Sequence, residues 1–430
     1  QIDPTGTLTG AITLSGSIQA VDSAVGSPGA SVTLANAITL AGGPDYQTES
    51  TPRNVVDTFG DYVRSTAGTA LVLTGQISGS GPLTIGSNVP YGPAANGRVV
   101  LNHANTYTGG TQILGGTLEL ATAGAAGTGP IAFARGVSAA LQIDAGATAP
   151  TIVTANSNVY GPSLTPDGSG ADTISVATAS VEVFRGTGPL TFINGGGSST
   201  IIGGAGDLPA TVFGGTGSLA VFAGAGGGFY YGGTAGNNVI VAGSAPTAIF
   251  GGGNGDFLFA GGASTIVAGA GNETLSGSGT TGANFFFGGS GAEEIVAGNG
   301  NDSVIAGSGA ATIFSGTGGS DAIYAGSGTD MIVGAGANAT VVAGTGNAAM
   351  YAGSGTDLFA FISGAAGGSD SISGFNTATD HITLQGYGSG AVAAALGSAT
   401  VAGGSTTLML SDNTHITLVG VTNLTSSSFV

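Results

Sequence analysis

Residues 297–361 decide the fold. The stretch reads A-G-N-G-N-D-S-V-I from Ala297 to Ile305 and A-G-S-G-A-A-T-I-F from Ala306 to Phe314. It continues to Phe361 in units of about nine residues. A glycine opens each unit, at Gly298, Gly307, Gly316, Gly326, Gly334, Gly344 and Gly353. The first half of a unit is small and turn-forming. The second half is apolar and β-prone, as in Ser303-Val304-Ile305 and Met331-Ile332-Val333. One such unit cannot bury its own apolar side chain, so coils must stack on one another as a solenoid.

Composition narrows the classes. Glycine supplies 86 of 430 residues without the strict triplet of collagen. Hydrophobic residues make up 41%, too many for a disordered low-complexity chain. Lysine is absent, and the five basic residues are Arg53, Arg64, Arg98, Arg135 and Arg185, so everything after Arg185 is purely acidic. A net charge of −18 argues against nucleic acid or anionic membrane as a partner and suits divalent cations. Without cysteine there are no disulfides and no thiolate metal sites. No apolar run reaches the roughly 18 residues of a membrane span. The sequence opens at Gln1 without a signal peptide, which is read as a processed form or as export information placed elsewhere.

Upstream of the repeat, residues 1–60 alternate weakly, and the Pro- and charge-richer segment from Gly43 to Arg64 reads as an inserted loop. Between Leu71 and Leu120 the pattern sharpens. Asn105-Thr106-Tyr107-Thr108-Gly109-Gly110-Thr111 and Ile113 precede Gly115-Gly116-Thr117-Leu118. This run of about fifty residues resembles the passenger-associated repeat of autotransporter-type β-helix proteins; the resemblance implies a scaffold and no chemistry. Residues 151–200 are transitional, with a loop at Pro162–Pro166 and a strand at Val181–Phe184. From Ile201 the short glycine-rich period begins, and triplets such as Phe285-Phe286-Phe287 are expected to split between core and surface.

The nonapeptide itself resembles the glycine- and aspartate-rich repeat of the repeats-in-toxin (RTX) family, G-G-x-G-x-D-x-U-x with U a large apolar residue. After Phe361 the period stops. Asp370-Ser371-Ile372-Ser373-Gly374-Phe375 and Asp380-His381-Ile382-Thr383-Leu384 resemble the C-terminal cap of RTX proteins exported by type I secretion. A cap is also expected physically, because an open solenoid end exposes a sheet edge. The one plausible helix is Ala391–Leu396. The expectation is therefore an all-β, right-handed parallel β-helix/β-roll solenoid with a C-terminal β cap. It divides into an autotransporter-like segment 1–150, a transitional segment 151–200, an RTX-like β-roll 201–362, and a cap and secretion region 363–430. Coils stacked at about 4.8 Å would make a rod with little concave surface.

The RTX resemblance implies calcium, held between loops two units apart. Sorting the units alternately places Asp302, Asp321, Asn338 and Asp357 on one side, and Glu293, Ala311, Asp330 and Ala348 on the other. The candidate ligands are Asp302, Asp321, Asp330, Asn338 and Asp357, with adjacent carboxylates only at Asp302 and Asp321. From Gly203 to Gly289 the aspartate position is mostly lost, to Ser218, Ala220, Asn237 and Thr247. Asp207 and Asp256 fall one residue early. The competing reading is that these aspartates cap turns.

Catalytic patterns are missing. His103, His381 and His415 are far apart in sequence, no H-E-x-x-H or G-x-S-x-G occurs, and no lysine can serve as a base. Glu293 and Glu294 are neighbours on a strand and should face opposite ways. The expectation is a non-enzymatic, secreted extracellular structural protein of a Gram-negative bacterium, at the cell surface or in a biofilm matrix. It would polymerise with itself into a layer, fibre or filament, with calcium supporting the roll. The alternative is a calcium-binding adhesin for a surface, host or polysaccharide.

Overall fold

The computed structural model describes residues 188–430 apart from 205 and 337. Before them it describes chiefly 31–40, 70–86, 97–133 and 139–144, with short strands elsewhere. Through these residues the chain is an all-β parallel solenoid, and Ala391–Gly397 is its one α-helix. It forms two compact units, Gln1–Gly226 and Gly227–Val430.

In the first unit, strands such as Ala70–Leu73, Arg98–Leu101, Gly116–Leu120 and Ala139–Ile143 stack in one parallel sheet. Leu83–Ile85, Thr111–Ile113 and Ile131–Phe133 stack in a second. The Asn105–Thr111 motif makes sense here. The Asn105 side chain accepts the Ile77 N–H at 2.7 Å and donates to the Ala125 carbonyl at 2.5 Å, joining coils on either side, while Tyr107 is fully buried. The segment Gly43–Arg64 contains an antiparallel pair, Asp45–Tyr46 with Thr58–Phe59, and part of the strand Tyr62–Ser65. Its remainder and Pro162–Pro166 lie outside the described residues.

The second unit is the clearer roll. One sheet runs from Gly228–Tyr231 through Phe285–Phe287 and Asn338–Val342 to His381–Gln385. The other runs from Val239–Val241 through Glu293–Val296 to Ser369–Ser373. Two nonapeptides make one coil, so the register advances from Val239 to Phe257 and from Asp330 to Ala348. Strands three to five residues long leave one residue inward at each centre. Ile266, Phe286, Val304 and Ile323 line one inner column, and Leu275, Ile295, Ile313 and Ile332 line the other, all at most 1% exposed. Each buried aliphatic side chain contributes roughly 1.5–3 kcal/mol, and the core is the sum over coils.

Glycine lets the turns stack as closely as the strands. A Cβ at Gly307 or Gly316 would run into the carbonyl oxygen of Gly289 or Gly298 in the coil before. After His381–Gln385 the parallel order ends. Thr400–Ala402, Ser405–Met409 and His415–Val419 pair antiparallel, and His415–Val419 also lies parallel against Ser369–Ser373. The helix Ala391–Gly397 extends one residue past the expected segment.

Candidate functional site: rows of buried carboxylates

One residue at or next to the start of each strand in the second unit turns its side chain inward, between the turn and the core. In the first sheet this position is occupied by Ser264, Asn284, Asp302, Asp321, Ala339, Asp357 and Asp380 in successive coils. In the second it is Asn238, Asp256, Glu273, Glu293, Ala311, Asp330, Ala348 and Asp370. All the acids in these rows are buried.

The oxygens of six aspartates, Asp256, Asp302, Asp321, Asp330, Asp357 and Asp380, follow one rule. One accepts a main-chain N–H at the matching position of the preceding coil. Asp302 takes it from Asn284 at 2.7 Å, Asp321 from Asp302 at 2.9 Å, Asp330 from Ala311 at 2.9 Å and Asp357 from Ala339 at 2.9 Å. The other accepts from the residue that opens its own turn: Gly298, Gly316, Gly326 and Gly353, at 2.7 to 3.0 Å. A carboxylate, being acceptor-only, suits two converging N–H groups that the strand ladder leaves unpaired. Each of these aspartates thus closes its own turn and staples it to the coil before, whereas Glu273 and Glu293 bond only within their own turn and Asp370 only to the coil before.

A second row lies one position earlier and is exposed. Here asparagines accept an N–H from the following coil: Asn272 from Ala292, Asn301 from Ser320, and Asn338 from Thr356, each at 2.8 Å. Asn338 therefore belongs to this outer row, in register with Ser320, and does not stack on Asp357. A count by nonapeptides slips here because the turns from Gly316 and Gly334 hold one extra residue. The inward position then falls on Asp321 and Ala339. Likewise Asn238, not Asn237, is the inward residue of its coil, bonded to Gly233 and Asp256.

Asp302 and Asp321 are brought together in adjacent coils, as expected. Asp330 is isolated between Ala311 and Ala348, whereas Asp357 has a carboxylate neighbour that the nonapeptide count does not reach, Asp380. Asp256, which falls one residue early by that count, is an ordinary member of the row. Its Oδ2 accepts from Gly252 at 2.7 Å, with the same four-residue reach as Asp302. Glu273 and Glu293 are recoverable by the same spacing, from Gly269 and Gly289. Glu294 points out, opposite to Glu293.

Burial dominates the electrostatics. It pushes the Glu273 carboxyl up to about 7, with the charges of Asp256 and Glu293 adding to the shift. Burial, joined by the charge of Asp330, also raises Asp370 to about 7. Glu293, Asp321 and Asp357 are raised for the same first reason. Glu293 Oε2 and Asp370 Oδ2 are buried without a hydrogen-bond partner, as befits carboxyls driven toward the neutral form.

Calcium takes six to eight oxygens. Asp302 and Asp321 offer adjacent buried carboxylates; Asp302 Oδ1 already accepts from both the main-chain and the side-chain N–H of Asn284, while the other three oxygens each keep a lone pair beyond one N–H bond. That is an anionic pair a divalent cation would neutralise. Among the described residues, no group of three or more His, Asp or Glu side chains could hold a metal on its own. An open groove along the second sheet is lined by Phe257, Thr274, Glu293, Glu294, Thr312 and Phe314, and only Glu294 presents an exposed carboxylate there. Neither family models nor curated proteins match this chain.

Proposed function

We propose that this chain is a secreted bacterial extracellular structural protein of the RTX β-roll kind, which assembles with copies of itself into a layer, fibre or filament. One observation carries the reading. Nine of the eleven acids in the second unit are turned inward and bonded to main-chain N–H groups, so repetition here builds a scaffold. Calcium belongs to the proposal at Asp302 and Asp321, where it would offset the repulsion between stacked carboxylates. The antiparallel tail from Thr400 to Val419 would serve as the cap.

Negative-stain electron microscopy with millimolar calcium, then with excess chelator, tests this. Ordered sheets or filaments that disperse in chelator support assembly with calcium in its mechanism. Filaments indifferent to chelator keep the assembly and remove calcium. Isolated particles in both conditions sink self-assembly and favour an adhesin.

A further inference from the structure

We infer that the outer face of the first sheet of the second unit is an interface with a second copy of this chain, packed face to face about a two-fold axis. This rests on the self-assembly proposed above and assigns one of its surfaces, since a two-fold contact closes at a dimer and a layer or fibre needs a further contact.

The argument begins with where the charge goes. The second unit contains eleven carboxylates and no arginine or lysine. Nine of the eleven are buried in the two rows, which leaves Glu294 and Asp412 as its exposed acids. Soluble monomers usually carry charge on about a quarter to a third of their surface residues, and a surface near neutrality promotes association.

Onto this background the first sheet adds apolar columns. Phe250, Val267, Phe287, Ile305, Tyr324 and Val342 follow one another in register on consecutive coils. Tyr231 precedes them, its ring stacked on Phe250 at 4.7 Å and 6°. Beside this column runs a second with Phe229 and Phe285, spaced by Ala248 and Thr265. Phe229 is 53%, Phe285 49%, Tyr324 45% and Ile305 43% exposed. At about half exposure each aromatic ring offers on the order of 100 Å². Over seven coils the face thus offers several hundred Å², within reach of the roughly 800 Å² per partner of a stable interface.

The occupant must match a flat, uncharged, ridged surface. A charged partner would bury ions against rings without counter-charge. A second copy presents the same columns at the same coil spacing, and two such faces can interdigitate as packed sheets do, about 10 Å apart. The other sheet is less suited: its outer columns are broken by Glu294 between Thr274 and Thr312, and by Ser276.

Phe287 lies mid-column, and the chain has no cysteine. Under mild oxidation, the full-length Phe287→Cys variant should form disulfide-linked dimers on the order of a hundredfold faster than Met331→Cys, whose thiol sits on the other sheet. A Phe285→Glu, Tyr324→Glu double variant with an unchanged circular dichroism spectrum should sediment as smaller species than wild type. If wild type assembles but both thiol variants cross-link equally fast, the face assignment fails and self-assembly stands. If wild type sediments as a monomer, self-assembly falls and takes the interface with it. Should the Phe287→Cys variant stay monomeric while an added neutral polysaccharide shields its thiol, the face belongs to a glycan and the inference is overturned.

Discussion

Asp321 accepts from the main-chain N–H groups of Asp302 and Gly316, at 2.9 and 3.0 Å. Its replacement by alanine leaves both donors buried and unpaired, at a cost of about 1–3 kcal/mol each. Asp321→Asn should be intermediate, because an amide can turn its oxygen to only one of the two donors. The exposed Glu294 is the control, and Glu294→Gln should change stability by less than about 0.5 kcal/mol. Urea unfolding of the three variants decides. If Asp321→Ala matches Glu294→Gln, the staple contributes nothing. At this scale the sequence is only partly legible. Asp302, Asp321, Asp330 and Asp357 stand out by their spacing from an opening glycine. The same spacing also marks Asp256, Glu273 and Glu293, which a search for one aspartate motif passes over. Asn338 misleads because a one-residue longer turn moves the inward position to Ala339.

A single coil is the next scale, and here period alone is informative. A strand of three residues with one inward side chain predicts that the Phe285-Phe286-Phe287 triplet splits between core and surface. The structure buries Phe286 and turns Phe285 and Phe287 out. Truncating Phe286 to alanine should cost about 3–5 kcal/mol, the usual loss for a large buried ring. Gly307→Ala acts differently, since its Cβ would collide with the Gly289 carbonyl oxygen and push two coils apart. Because coils contact mainly their neighbours, hydrogen exchange should quicken around residues 289–307 while distant coils stay protected. Uniform loss of protection would show that the coils do not behave as separable units. The period could not reveal the first unit's staples, since Asn105 and Tyr107 act through a different and longer repeat.

For the whole molecule, pH is the sharpest lever. Glu273 and Asp370 titrate near 7 when folded, against 4.5 and 3.8 for ordinary carboxyls. The folded state therefore holds protons that the unfolded state releases, and stability must fall as pH rises through that window. Their contribution is fully present below about pH 4 and gone once pH exceeds about 7. Calcium-free protein should thus melt at a higher temperature at pH 5 than at pH 8. Glu273→Gln, which mimics the neutral form, should lessen the difference and raise the pH 8 midpoint. A melting temperature that climbs from pH 5 to pH 8 would contradict the burial argument.

The inward carboxylates also bear on how the protein behaves in a salt solution. A net charge of −18 suggests a particle that simple electrolytes would screen. Over the second unit, however, nine of the eleven carboxylates are buried behind main-chain N–H groups, away from the surface where a salt atmosphere gathers. An anion-exchange resin would find little there to grip, and sodium chloride would have almost no repulsion to relieve. Sulfate, which acts by exclusion from apolar surface, is the salt to which such a face responds.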